Sequence, residues 1–179
     1  LQLDPPTRQR YMRIVTEETH RLEQIIGDLL DLARLEGGMP LRREQVDVEA
    51  IFDRVAARHE RDIEARGIRL FMDVHPAAGM VPGDPDRLEQ ALQNLAANAL
   101  RHTPDGGEIR LTAEWREGGV RITVRDSGPG IAAEHLPLIF DRFYKVDAAR
   151  KASGGSGLGL SIVKAIVERH GGTITASNA

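Results

Sequence analysis

The sequence contains no cysteine, so disulfide bonds and thiolate metal sites are excluded. No apolar run approaches the roughly 20 residues that a membrane-spanning helix requires, and no signal-peptide pattern is present. The formal net charge is only -3, with basic and acidic residues interspersed, which indicates no nucleic-acid partner. The chain has 179 residues, 41% hydrophobic and 28% charged, which is typical of a soluble globular protein with one sizeable core and an appendage.

Residues 7–36 have the periodicity of one long helix, which two prolines precede and Gly37-Gly38 ends, with Pro40 beyond. Its apolar positions are Val15, Leu22, Ile25, Ile26, Leu29, Leu32 and Ala33. This stripe needs a partner, because burial of each large aliphatic side chain contributes about 1.5–3 kcal/mol. The partner of this stripe is either the rest of this chain or the other helix of a dimerising hairpin, of which residues 7–36 would form one half. The Gly-Gly-x-Pro break favours the hairpin.

Beyond this break the pattern indicates a mixed α/β domain. Residues 79–85 are predicted to be loop, residues 131–156 are loop-rich, and Glu117-Gly118-Gly119 indicates a hairpin turn. Both ends of the chain are expected to be cuts within a larger protein, because the last strand lacks an onward partner and the first helix lacks a preceding mate. Helices are predicted at 47–66, from Asp84 or Asp86 to about 101, and at 157–170, and strands at 41–46, 68–74, 108–115, 119–125 and from 173 to about 177.

The predicted helix that ends near residue 101 has two distinct faces. A neutral amide on such a helix supplies oxygen to a hard cation such as Mg²⁺ without adding negative charge beside phosphates. Without the glycine motifs that follow, a solvated face would explain the asparagines equally well. The polar face carries Gln90, Asn94, Asn98 and Arg101 or His102, and the opposite face carries a core stripe of Leu88, Leu92, Leu95 and Ala99.

Two glycine motifs follow this helix. The turn from Asp126 to Gly130 comes after a predicted strand, and its glycines let the backbone approach a ligand closely. The Asp126 carboxylate can accept a hydrogen bond from the exocyclic amine of adenine, although an Asx turn is a common alternative. The stretch from Gly154 to Leu160 opens the last helix, where bare N–H groups can hold phosphates. It is not a P-loop, and its leucines argue against a flexible linker.

In this order the motifs resemble those of sensor histidine kinases over nearly the whole chain. Residues 94–103 resemble the N box, 126–130 the G1 box, 139–144 the F box and 155–160 the G2 box, while 17–36 are similar to the second helix of the dimerisation domain. The resemblance implies an α+β fold, a two-layer α/β sandwich of the Bergerat ATP-binding type shared with Hsp90, gyrase B and MutL. It implies a truncated dimerisation helix in 1–38 and a catalytic ATP-binding domain in 39–179, with its C-terminal strand missing.

The resemblance also implies residue roles in binding ATP and Mg²⁺. Asn98 would bind the metal, and Asp126 would recognise the adenine amine. Residues 131–156 would form a mobile ATP lid. Catalysis would rest on Asn94, Asn98, Arg142 and Lys145, of which the last two are candidates to reach the γ-phosphate. The other implied contacts are Arg101 and His102 by the nucleotide, Gly128, Gly130 and Ile131 around the base, Phe140 and Phe143 as lid anchors, and Gly155, Ser156, Gly157, Leu158, Gly159 and Leu160 over the phosphates.

The implied reaction transfers the γ-phosphoryl group of Mg·ATP to a histidine, for relay to an aspartate of a response-regulator receiver domain. The family's acceptor motif, His-Glu-Leu-Arg-Thr-Pro-Leu, is absent. His20 is followed by Arg21 rather than by an acid, so this chain is expected not to phosphorylate itself. For the parent protein, the resemblance implies a homodimer through the N-terminal helix and a cytoplasmic kinase domain anchored at the bacterial inner membrane.

Two other functions are compatible with ATP binding. The first is a nucleotide-gated conformational module without kinase chemistry, in which ATP only repositions the long helix. The second is another Bergerat-fold ATPase, of the Hsp90 or MutL type, which hydrolyses ATP with a glutamate four residues before the metal-binding asparagine. Asn94 and Gln90 occupy the relevant positions here, and neither can act as a carboxylate base.

Overall fold

A computed structural model of the chain describes residues 4–38, 40–146 and 155–178. Part of the predicted lid and Gly154 of the predicted glycine motif lie outside the described residues. A short 3-10 helix spans Pro76–Ala78. The helices are α1 (Pro5–Glu36), α2 (Val48–Ala65), α3 (Pro85–His102) and α4 (Gly159–Arg169), and the strands are β1 (Glu44–Asp47), β2 (Arg69–Val74), β3 (Met80–Gly83), β4 (Glu108–Arg116) and β5 (Gly119–Asp126).

The main core forms between a three-stranded sheet and two helices. The central strand β4 runs parallel to β2 and antiparallel to β5, and a tight turn joins β4 to β5 as predicted. Ile109, Leu111 and Ala113 alternate along β4 and are buried. They share an apolar cluster with Phe52 of α2 and Leu100 of α3. The predicted two-layer α/β arrangement is therefore confirmed.

Two predictions about strands were wrong. Residues 79–85, predicted as loop, contain β3, which pairs with β1 from Glu44↔Gly83 to Asp47↔Met80 as a separate two-stranded sheet. Pro82 masks this strand in the sequence, because proline is rare within strands. Residues 173–177, predicted as the last strand, have no strand conformation and pair with none of the strands in the described part of the chain. Elsewhere the predicted bounds shift by only a few residues.

Side chains that flank or contact α3 hold both of its ends. Asp84 is the N-cap, because its Oδ1 atom accepts hydrogen bonds from the backbone N–H groups of Asp86 and Arg87, each at 3.2 Å. Its Oδ2 atom accepts from the backbone N–H of Arg42 at 3.0 Å. At the other end, the guanidinium of Arg66 donates to carbonyl oxygens in the last turn and at the C-cap. The helix that carries the predicted amide face is therefore fixed in position.

The long helix α1 packs on the rest of the chain through its C-terminal end. Leu32 and Leu35 are each 3% exposed, in an apolar cluster with residues of α3 and α4. Packing on the rest of this chain is therefore observed at this end of the helix, whereas most apolar residues nearer the N-terminus are exposed in the described part of the chain, and the dimerising hairpin stays a prediction. Within the described ranges, no helix is both long and apolar enough to cross a membrane. The exposed apolar side chains of α1 are Tyr11, Met12, Ile14, Val15, Leu22, Ile26, Leu29 and Leu30.

The imidazole of His59 on α2 is expected to make folding stability decrease at acidic pH. Its Nε2 atom is buried without a hydrogen-bond partner among the described residues, although Gln93 lies beside it. Burial lowers the pKa of His59 below its ordinary value, and Gln93 and Asp62 offset only part of this. The folded state therefore binds the proton less readily than the unfolded chain. Stability from this residue is complete above about pH 6.5 and decreases below it.

Replacement His59→Leu should flatten this dependence, as measured by urea unfolding at several pH values between about 5 and 8. The control is His20→Leu on α1, where the ring is exposed and the slope should persist. An equally steep slope in His59→Leu would assign the pH dependence to other groups.

Candidate functional site

The amide face of α3 meets the beginning of α4. Asn94 and Asn98 lie one turn apart on α3, and both are half-buried. The Nδ2 atom of Asn94 donates a hydrogen bond at 3.4 Å to the carbonyl oxygen of Gly159, which is 65 positions away in the sequence. Two of the motifs identified in the sequence therefore lie side by side in the fold.

Gln90, the first member of the predicted polar line, faces α1 instead. Its Nε2 atom donates to Asp31 at 2.9 Å, and its Oε1 atom accepts from Arg87 at 2.7 Å. Arg87 Nη1 in turn lies 3.5 Å from a carboxylate oxygen of Asp31. Because α1 covers this part of α3, the polar line borders the glycine motif only from Asn94 onward.

The C-terminal end of α3 approaches both glycine motifs. A Cβ atom at Gly155 would lie 2.6 Å from Nη1 of Arg101, so the guanidinium lies directly against this glycine. A Cβ atom at Gly128 would lie 2.8 Å from the carbonyl oxygen of His102, which requires glycine there. The His102 side chain is exposed. Arg101 and His102 therefore lie between the two motifs, beside Asn98.

Asp126 lies exposed at the end of β5 and begins a tight turn. Its Oδ1 atom accepts a hydrogen bond from the backbone N–H of Gly128 at 2.8 Å. This is the Asx turn that the sequence allowed as an alternative. The Asx turn and the recognition of adenine are compatible, because no hydrogen bond to Oδ2 of Asp126 is found among the described residues. The turn fixes one carboxylate oxygen and leaves the other available to a ligand.

The backbone that follows this turn is held by an asparagine from the other end of the chain. Asn178 Oδ1 accepts from the N–H of Ile131 at 2.8 Å, and Asn178 Nδ2 donates to the carbonyl of Ile131 at 2.7 Å. Gly130 precedes this pair with φ 74°, a conformation that favours glycine. A Cβ atom on Gly130 would lie 2.8 Å from Asn178 Oδ1. The backbone at Gly130 and Ile131, which the resemblance assigns to the base, is therefore held by Asn178.

The F-box segment contacts the glycine motif through its backbone. The N–H of Phe143 donates to the carbonyl oxygen of Gly157 at 2.9 Å. Phe143 has φ 61°, which is uncommon for a bulky residue, and its ring is 57% exposed. A Cβ atom at Gly157 would lie 2.9 Å from the Cα of Phe143. The ring of Phe143 is therefore not a buried anchor here, whereas Phe140 is half-buried and Ile139 is buried.

Two of the residues predicted to face the phosphates are paired with α1. Arg142 forms an ion pair with Glu36, the last residue of α1. Ser156 donates to Asp28 at 2.7 Å and accepts from the N–H of Leu158 at 3.1 Å. The other members of the predicted set differ in burial: Lys145 is exposed, Leu160 is half-buried, and Leu158 is fully buried in the apolar cluster.

Sequence reasoning missed the residues that support the site from elsewhere. Asp28 and Glu36 read as ordinary charged positions of an amphipathic helix, and only the packing of Leu32 and Leu35 places Asp28 beside Ser156 and Glu36 beside Arg142. Asn178 gave no signal, because its partner is 47 positions away. A pattern of spacing along the chain contains no information on such pairs.

The donor set suits a cation bound together with a phosphate ligand. Among residues 4–38, 40–146 and 155–178 there is no cluster of three or more His, Asp or Glu side chains that could hold a metal ion. A half-buried amide such as that of Asn98 is a suitable single protein ligand for Mg²⁺, which usually retains waters and binds substrate phosphates.

Comparison with known proteins assigns the family. Residues 83–179 match the family described as histidine kinase-, DNA gyrase B-, and HSP90-like ATPase. This match covers more than half of the chain, and the chain belongs to this family. The resemblance to sensor histidine kinases that the four motifs carry is confirmed as well.

Individual relatives extend the comparison to α1. The sensor-like histidine kinase SenX3 of Mycolicibacterium smegmatis is 38% identical over 173 residues, which are 96% of this chain and 45% of that protein. The chain thus spans less than half the length of this relative. Full-length ShkA in complex with AMPPNP is 31% identical, with a TM-score of 0.82 over 100% of this chain and 37% of that one. Histidine kinase ThkA in complex with response regulator TrrA is 29% identical, with a TM-score of 0.77 over 99% of this chain and 49% of that one.

Proposed function

We propose that this chain is the ATP-binding catalytic portion of a sensor histidine kinase, with residues 1–38 as a dimerisation helix and 39–179 as the catalytic domain. The single observation that carries the proposal is the approach of Asn94 to Gly159, with Arg101 against Gly155, between the Asp126 turn and the start of α4. This places an amide face, a carboxylate turn and a helix N-terminus around one surface. A nucleotide with its phosphates toward α4 fits that arrangement.

In the proposed reaction, the γ-phosphoryl group passes from ATP to a histidine that another segment of the parent protein supplies. Such transfer depends mainly on positioning and on neutralisation of the phosphate charge. Asn98 would hold a Mg²⁺ ion, which supplies positive charge beside the phosphate oxygens. Arg142 and Lys145 would add cationic groups near the γ-phosphate, and Gly155, Ser156, Gly157 and Gly159 would offer N–H donors without bulk.

The proposal is tested by mixing the chain, Mg·ATP and a separate protein that contains an intact acceptor helix. We expect acid-labile phosphate on the supplied histidine and none on the chain alone. ATP binding without any transfer would favour the nucleotide-gated module, for which the contact between Ser156 and Asp28 provides a route from the nucleotide to α1.

The partners proposed for the parent protein follow from the same assignment. The exposed apolar side chains of α1 would be buried in a homodimer, since a stripe of this size needs a partner. A response-regulator receiver domain would take the phosphoryl group, as the complex formed by ThkA suggests by analogy. Anchoring of the parent at the bacterial inner membrane would place this portion in the cytoplasm.

Asp126→Asn is expected to erode the preference for ATP over GTP. Because the N–H of Gly128 binds Oδ1, the substituted amide would direct its NH₂ group toward the adenine amine, so two donors would face each other. Loss of a hydrogen bond to a charged group costs about 1.5–3 kcal/mol, or roughly 10- to 100-fold in affinity. Competition titrations with non-hydrolysable ATP and GTP analogues measure the ratio.

The matched control for this substitution is Asp73→Asn, an exposed aspartate on β2. Its ratio of ATP to GTP affinity should equal that of the unmodified chain. Undiminished discrimination in Asp126→Asn would refute the role of this carboxylate in adenine recognition.

A further inference from the structure

The ion pair between Arg142 and Glu36 joins α1 to the segment that precedes the glycine motif. Both side chains are about half-exposed, at 54% for Arg142 and 47% for Glu36. In the proposed function, Arg142 is a candidate to reach the γ-phosphate. The structure instead places a carboxylate on its guanidinium, so Nη2, one of the donors that would hold a phosphate, contacts an anion of the chain itself.

The backbone around Arg142 is fixed beside the glycine motif. The neighbouring residue, Phe143, has a left-handed conformation and donates its N–H to Gly157 at 2.9 Å. Gly157 has φ 76° and no room for a side chain at this contact. Because the backbone is held at this point, Arg142 can change its partner only by rotating its side chain. The guanidinium then points either toward α1 or toward a ligand of the glycine motif.

Glu36 is also held in place from its own side. The preceding residue, Leu35, is 3% exposed, and its carbonyl oxygen accepts a hydrogen bond from Nη1 of Arg169 at 2.5 Å. The N–H of Gly37 closes the helix by donating to Ala33 at 2.8 Å. A carboxylate at a helix C-terminus faces the negative end of the helix dipole, which is unfavourable without a cationic partner. The ion pair with Arg142 therefore offsets the unfavourable interaction of Glu36 with the helix dipole.

We propose that Glu36 is a specificity-determining residue that lowers the preference of the site for nucleoside triphosphate over diphosphate. Its carboxylate occupies the Arg142 guanidinium in the place of a terminal phosphate. A triphosphate must displace Glu36 to gain this contact, whereas a diphosphate, which has no γ-phosphate, binds without disturbing the pair. The inference rests on the proposed function, because it requires that Arg142 contact the γ-phosphate.

The expected size of the effect follows from the exposure of the pair. Exposed ion pairs contribute at most about 1 kcal/mol, which corresponds to about fivefold in affinity. Salt also weakens the ion pair, because the Debye screening length is about 10 Å at 0.1 M ionic strength and only about 3 Å at 1 M. The effect of Glu36 should therefore shrink as salt is added.

The experiment is a calorimetric titration of the full 179-residue chain with AMPPNP and with ADP, both with Mg²⁺, at low and high salt. We expect Glu36→Gln to bind AMPPNP about three- to fivefold more tightly and ADP within twofold of the unmodified chain. The gain should disappear in the double variant Glu36→Gln with Arg142→Ala. Asp31→Asn is the matched control, because it removes another α1 carboxylate that contacts Arg87 and Gln90, and it should leave the AMPPNP to ADP ratio unchanged.

Each other outcome overturns a specific claim. If Glu36→Gln binds AMPPNP and ADP more tightly by the same factor, Glu36 acts through the docking of α1 and not on the terminal phosphate. If neither affinity changes, Glu36 does not compete with the terminal phosphate for Arg142. If Arg142→Ala alone leaves AMPPNP affinity unchanged, Arg142 does not contact the terminal phosphate and the inference fails while ATP binding stands. If the folded, unmodified chain binds neither nucleotide, the proposed function fails with it.

Discussion

Asn98→Ala is expected to abolish Mg²⁺-dependent binding of a non-hydrolysable ATP analogue while the fold remains intact. The side chain is half-buried on α3 and forms part of the amide face that borders the glycine motif. Loss of a polar contact to a charged group, here the contact of the Asn98 amide with Mg²⁺, costs up to about 3 kcal/mol. The affinity for the nucleotide should therefore fall on the order of 100-fold. Alanine is also the strongest helix former, so the substitution itself does not weaken α3.

The measurement is a titration with and without Mg²⁺ for both proteins, with thermal unfolding to verify the fold. Gln90→Ala is the matched control, because Gln90 lies on the same predicted polar line but binds Asp31 and Arg87. It should retain Mg²⁺-dependent binding. An unchanged affinity in Asn98→Ala would remove the metal assignment from this residue.

Asp84→Ala is expected to cause the largest loss of stability among the substitutions considered. Asp84 is 7% exposed and accepts three backbone hydrogen bonds, two at the start of α3 and one from Arg42. Loss of an N-cap costs about 1 kcal/mol, and loss of a further hydrogen bond to a charged carboxylate, here the one from Arg42, costs about 1.5–3 kcal/mol. The free energy of unfolding should therefore decrease by about 2–4 kcal/mol, and Tm by about 5–15 °C for a chain of this size.

Urea unfolding at neutral pH measures this loss, with Asp86→Ala as the control. Asp86 pairs with Arg42 but is 81% exposed, so its loss should cost well under about 1 kcal/mol. Burial alone would raise the pKa of Asp84, but backbone hydrogen bonds and the charge of Arg42 lower it below its ordinary value. The stabilisation by Asp84 is thus present above about pH 4 and is lost as the pH falls through the lowered pKa. Equal stability of the two variants would contradict the capping role.

Local patterns were sufficient to predict most of the fold. The alternation in β4 and β5 and the glycine turn between them predicted their hairpin, and the spacing of Leu92 and Ala99 predicted the buried face of α3. These features depend on residues close together in the chain. β3 was missed because Pro82 interrupts the pattern of a strand whose partner, β1, is distant in the sequence.

The candidate site was only partly accessible to the same reasoning. The sequence indicated that Asn94 and Gly159 belong to one site, and the fold brings them into contact. It did not indicate that Gln90, Ser156 and Arg142 turn toward α1, because those contacts depend on how Leu32 and Leu35 dock on α4. Tertiary packing of a long helix cannot be read from its own periodicity.

The attachment of α1 at one end gives it the mechanics of a lever. Residues 5–32 rise by about 1.5 Å each, so about 40 Å of helix extends beyond the docked end. A tilt of only about 10° at Leu32 and Leu35 would move the tip by about 7 Å, as simple geometry on that length requires. Run in reverse, a displacement of about 2 Å at the tip becomes a shift of about 0.3 Å at Asp28, which lies about 6 Å along the helix from Leu32. Shifts of that size are comparable to the tolerance of a hydrogen bond such as that between Asp28 and Ser156.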